Sequence, residues 1–69
     1  MENNWVKVYS STHLHEIELI KGMLAEEDIH AFSVNKVYST YTTFGEIELY
    51  VNADDALRAI NLIKQSKGE

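Results

Sequence analysis

From residue 44 to residue 51 the chain alternates strictly, with Ile47, Leu49 and Val51 on one parity and Glu46, Glu48 and Tyr50 on the other. Period two is the pattern of a strand with one face in a core and one face wet. Gly45 stands near its entrance and Asn52-Ala53-Asp54-Asp55 at its exit, so both ends are punctuated. A shorter version predicts a strand over residues 5–9, with Val6 and Val8 inward and Trp5, Lys7 and Tyr9 outward. Another spans residues 31–35, with Phe32 and Val34 inward and Ala31 and Ser33 outward. Between these two the period lengthens: Ile17, Ile20, Met23 and Leu24 recur at helical spacing, and Leu14 and Leu19 widen the stripe. Asp28, just ahead of Ile29, occupies the place where a left-handed residue closes a helix and an apolar residue folds back on it. A second helix starts at Asn52 as N-cap, with Asp54 and Asp55 in the first turn, and carries Ala56, Ala59, Ile60 and Ile63 on its apolar side. The polar and aromatic stretch 36–45 reads as the tip and flanks of a hairpin.

The order strand, helix, strand, strand, helix predicts an α+β fold: a two-layer sandwich, βαββα, with a three-stranded mixed sheet and two helices on one face. This is a ferredoxin-like arrangement lacking its last strand. The crossover through the first helix is expected to set the first strand parallel to the third, with the second antiparallel to the third as a hairpin. The helices would then cover one sheet face and leave the other bare.

Composition narrows the function classes. With 69 residues the chain holds one domain, 1–69, and a domain of this size buries only about 60% of the surface its unfolded chain exposes. There is no cysteine, which excludes disulfides and thiolate metal sites and leaves close packing, a cofactor or self-association to stabilise a small core. The net charge of −5 opposes a phosphate backbone, so nucleic acid is not an expected partner. No run approaches the roughly 20 apolar residues of a membrane span and no leader pattern opens the chain, so the expected location is cytoplasmic with no membrane partner.

Candidate chemistry is sparse. His13 and His15, close to Glu16 and Glu18, have the right atoms for a divalent metal, but residues two apart on a helix do not share a face. Glu46 and Glu48 do share a strand face, a spacing able to seat paired carboxylates, yet with Lys7 nearby a solvated charged face explains them. The serines and threonines fall at a helix start and a hairpin tip, where hydroxyls cap and turn the backbone. We therefore expect no enzyme, no catalytic residue, no metal and no cofactor. The aromatic set is more informative: Trp5, Tyr9 and Tyr50 project from the bare face beside Lys7, Glu46 and Glu48, with Tyr38, Tyr41 and Phe44 around the hairpin. Outward aromatics on a sheet are ordinarily covered by a partner. The expected role is a regulatory or protein-interaction module, as a homodimer or with a protein partner. The alternatives are a small-ligand or metal-binding sensor, and RNA binding, against which the interleaved glutamates argue.

Three segments, WVKVYSS, IELIKGMLAEEDIHAFSVNK and YTTFGEIELYVNADDALRAINLI, together span nearly the whole chain. In them the sequence resembles the small bacterial family of putative prokaryotic signal-transducing proteins, a family of domains of unknown function. The resemblance implies a βαββα fold similar to nitrogen-regulatory PII and other ferredoxin-like regulators. It also implies a regulatory or binding role with no named reaction. Asp28 departs from the pattern where a glycine is expected.

Overall fold

The computed structural model describes residues 4–36 and 45–68. The order is β1 (Trp5–Ser11), α1 (Leu14–Glu26), β2 (Ala31–Lys36), β3 (Glu46–Asn52), a 3-10 turn (Ala53–Asp55) and α2 (Ala56–Ser66). The α+β sandwich expected from the pattern is present: three strands in one sheet of order β1-β3-β2, and two helices. The hairpin tip expected near residues 39–43, with Tyr38, Tyr41 and Phe44, lies outside the described residues.

One part of the expected topology is corrected. The sheet is antiparallel throughout, with β3 antiparallel to both β1 and β2. The helical connection through α1 leaves β1 and β2 running the same way, and β3, antiparallel to both, lies between them. The parallel pair is therefore never adjacent.

The core lies between the sheet and the helices. Ile17, Ile20 and Leu24 from α1, Ala59 and Ile63 from α2, and Ile47, Leu49 and Val51 from β3 are all buried, joined by Ile29. The α1 stripe is narrower than its sequence suggests. Leu14 and Leu19 remain exposed and Met23 is half-buried, because a helix seated on a three-stranded sheet hides little more than one ridge. Alanine at positions 56 and 59 brings α2 close to the strands, and Ala59 is fully buried.

Both helix ends follow local chemistry. At the end of α1, Asp28 has φ 67°, its N–H donates to the Ala25 carbonyl at 3.0 Å, and the Ile29 N–H donates to the Leu24 carbonyl at 2.9 Å. This is the Schellman arrangement, with aspartate doing what glycine does at less steric cost. Gly68 closes α2 at φ 80°, its N–H donating to the Gln65 carbonyl. Asn52 caps the second helical segment as expected, its side-chain oxygen accepting the Asp54 N–H at 3.0 Å, though a 3-10 turn intervenes before α2 proper. Among the described residues no helix is long and apolar enough to cross a membrane.

Candidate functional site

Two local registers decide which side chains reach the bare face. In β1, Lys7 lies opposite Tyr50 and Tyr9 opposite Leu49, so Val8 is an extra residue in a β-bulge. A bulge resets the alternation. Trp5 and Lys7 keep the outward parity, while Tyr9 and Ser11 turn to the helix side, opposite the buried Leu49 and Ile47. Tyr9 is thus corrected from the bare face to the helix face, where it packs with Val8 against the core.

β2 is corrected in the other direction. Ala31, Ser33 and Asn35 lie opposite Val51, Leu49 and Ile47, whereas Phe32 and Val34 lie opposite Tyr50 and Glu48. Phe32 and Val34 therefore belong to the bare face and Ala31 to the core face, the reverse of the expected placement. The position opposite a buried strand residue sets the face, whatever side chain occupies it. Small residues there leave room for α1.

The outcome is an aromatic cluster at one end of the bare face. Trp5 meets Phe32 edge-on, with ring centroids 4.7 Å apart at 79°, and Phe32 stacks on Tyr50 at 5.6 Å and 14°. Trp5 and Phe32 come from the two outer strands and reach toward each other over β3. They nonetheless stay 40% and 39% exposed, so the cluster is organised without being covered.

Beside it the glutamate pair divides. Glu46 is exposed, but Glu48 is only 6% accessible. Its carboxylate accepts a hydrogen bond from the Tyr50 hydroxyl at 2.7 Å and lies 3.5 Å from the Lys7 ammonium. The sequence places Lys7 near the glutamates, and the register makes the contact specific to Glu48. A buried carboxylate so held is a fixed part of the face, while Lys7, about half exposed, and Glu46 are accessible charges beside it.

A second polar cluster was not visible in the sequence, because it depends on the bulge. Tyr9, turned toward the helices, donates its hydroxyl hydrogen to Glu16, and Ser11 Oγ donates to Glu16 Oε1 at 2.7 Å. Lys67, arriving from the end of α2, donates to Glu16 Oε2 at 2.9 Å and lies 5.1 Å from the Tyr9 ring centroid. These contacts hold the Glu16 carboxyl down at about 2, with the Tyr9 hydrogen bond the largest cause, then Ser11, then Lys67. Lys67 is shifted upward, by Tyr9 first and then by Glu16. The cluster ties β1, α1 and α2 together.

His13 occupies the N-cap position of α1 without a side-chain cap, and both His13 and His15 are exposed. Ser11 takes over the local role, its Oγ accepting the His13 N–H at 3.0 Å. Among the described residues no group of three or more His, Cys, Asp or Glu side chains is placed to hold a metal ion.

No curated protein and no solved structure matches the chain. A family model does match, over residues 5–67, which takes in every strand and helix described above. On that match the chain belongs to the family described as putative prokaryotic signal transducing protein.

Proposed function

We propose that this chain is a non-enzymatic signal-transduction module of the cytoplasm that works by docking, and that its docking surface is the bare sheet face, occupied by a second copy of the same chain. The observation that carries this is the Trp5–Phe32–Tyr50 cluster. Large rings are packed against one another on a face opposite both helices, yet two of them remain about two-fifths exposed. Burying such rings contributes strongly to association, and aromatics are enriched where interfaces concentrate their energy.

Charge supports a second copy as the occupant. Two like faces would bring carboxylates together, but Glu48 is already compensated within its own chain by Lys7 and Tyr50. Among the side chains described on that face, Lys7 and Glu46 leave charge of both signs accessible. A two-fold axis can set Lys7 of each copy toward Glu46 of the other, as a self-complementary interface requires. Association also adds burial where a small core has least of it.

Sedimentation velocity over low to high micromolar concentration tests the reading. The unmodified chain should shift from monomer to dimer, and Phe32→Ala and Trp5→Ala should each move the transition to higher concentration while retaining the native circular dichroism spectrum. A chain that stays monomeric at high micromolar concentration overturns the dimer and makes a foreign protein the candidate for the face. Weakening of a dimer by Leu19→Glu, on the helix side, with no effect of Phe32→Ala would place the interface elsewhere.

A further inference from the structure

The helix side carries a groove that the docking face does not use. It has a volume of about 340 Å³ and is walled by Leu19, Ile20 and Met23 of α1, with Glu16, Ser66 and Lys67 at its polar end. That volume is at the lower end of the range for small-molecule sites, which are mostly apolar with a few fixed polar groups. Leu19, 61% exposed, forms an outer wall, and buried Ile20 contributes to the floor.

The polar end is asymmetric in what it offers a ligand. Glu16 accepts from Ser11 on one oxygen and from Tyr9 and Lys67 on the other, so three of its roughly four lone-pair positions are occupied. Ser66 Oγ donates to the Ile63 carbonyl at 2.9 Å. An ammonium has three N–H donors. One from Lys67 goes to Glu16 and the charge rests near the face of Tyr9, which leaves donor capacity on the one cation lining the groove. Remaining recognition there favours an acceptor, and an anionic one most, since hydrogen bonds between charged partners are the stronger kind.

We infer that this groove binds a small amphipathic carboxylate, its apolar body along Leu19, Ile20 and Met23 and its carboxylate on Lys67. Glu16 shares that polar end, but its hydrogen bonds from Tyr9, Ser11 and Lys67 commit it to holding Lys67 in place, while Tyr9 and Ser11 act from outside the groove lining. The site lies on the opposite side of the sheet from the aromatic cluster and stands independently of the docking surface.

The test is a heteronuclear NMR titration with octanoate and, in parallel, with octanol, which has the same chain length and no charge. Octanoate should give saturable shifts at the amides of Leu19, Ile20, Met23 and Lys67, and should bind more tightly than octanol. Lys67→Gln should weaken octanoate by about tenfold, the loss of one charge-assisted contact, and leave octanol unchanged. Leu19→Glu should weaken both. Absence of saturable shifts at millimolar octanoate overturns the inference. So do equal affinities for the two probes in the unmodified chain, a comparison that needs no variant to fold, and shifts confined to Trp5, Phe32 and Tyr50.

Discussion

The amide of Ile29 reaches back five residues to the carbonyl of Leu24, 2.9 Å away, and both side chains are buried in the same core. The left-handed Asp28 makes that closure possible. Its Cβ carries the steric cost that glycine avoids, and Asp28 is exposed with no side chain packed into the core. Asp28→Gly should therefore raise stability by up to about 1 kcal/mol, the steric relief exceeding the added freedom of the unfolded chain. Urea denaturation of the two proteins measures it.

Ile29 itself is the apolar residue that the turn folds inward, 1% accessible between α1 and the sheet. Truncation leaves a cavity that a small domain is poorly able to collapse, so Ile29→Ala should cost about 2–5 kcal/mol. With total stabilities of about 5–15 kcal/mol typical of folded domains, this one at the low end for its size, the variant should be largely unfolded at moderate urea concentration.

Acid should loosen the contact between β1 and the helices. Glu16 has an ordinary pKa of 4.5 and is held at about 2 in the folded chain by Tyr9, Ser11 and Lys67. A carboxyl lowered on folding contributes stability that is fully present above its unfolded value and is lost as pH falls toward its folded one. The contribution of Glu16 should thus fade between about pH 4.5 and pH 2. Thermal unfolding followed across that window should show a shallower fall for Glu16→Gln than for the unmodified chain. Parallel curves would show that other carboxyls govern the acid response.

Asn52 joins β3 to the second helical segment through its side-chain bond to the Asp54 N–H. Removing that acceptor leaves a backbone donor at the helix start to water. Asn52→Ala should lower stability by about 1 kcal/mol, read from the shift in the urea midpoint at constant slope.

Much of this was legible in the residues because the signals were local. The helical stripe of Ile17, Ile20 and Leu24, the strand alternation of Ile47, Leu49 and Val51, the left-handed Asp28 and the Asn52 cap all follow from near neighbours, and the structure places each as expected. What could not be read was the parity of the outer strands. In β2 the bulky residues Phe32 and Val34 suggested the core side, but the register with β3 is set by Leu49 and Val51, and it puts Ser33 and Ala31 there instead. The candidate face was accordingly half visible: Trp5, Lys7, Glu48 and Tyr50 meet on it, Phe32 was missing from the expected set, and Tyr9 left it for the cluster around Glu16. Pairing across strands is a long-range property, and a period of two turns a one-residue difference into the opposite face.

The bulge at Val8 makes the first strand unusually tolerant of losing a residue. Deleting one residue from a regular strand exchanges the two faces of everything beyond the gap. Deleting Val8 does not, because Lys7 and Tyr9 already stand opposite the adjacent residues Tyr50 and Leu49. The shortened strand would pair continuously, with Lys7 still on the bare face and Tyr9 still directed at Glu16. Its cost would be confined to the packing of one half-buried valine. Removal of Val6, whose partner Val51 is fully buried, should by contrast turn Trp5 inward and abolish the fold. Expression of the two deletion variants, compared by circular dichroism, would distinguish them. Length variation among natural relatives should accordingly be admitted at Val8 before any other position in β1.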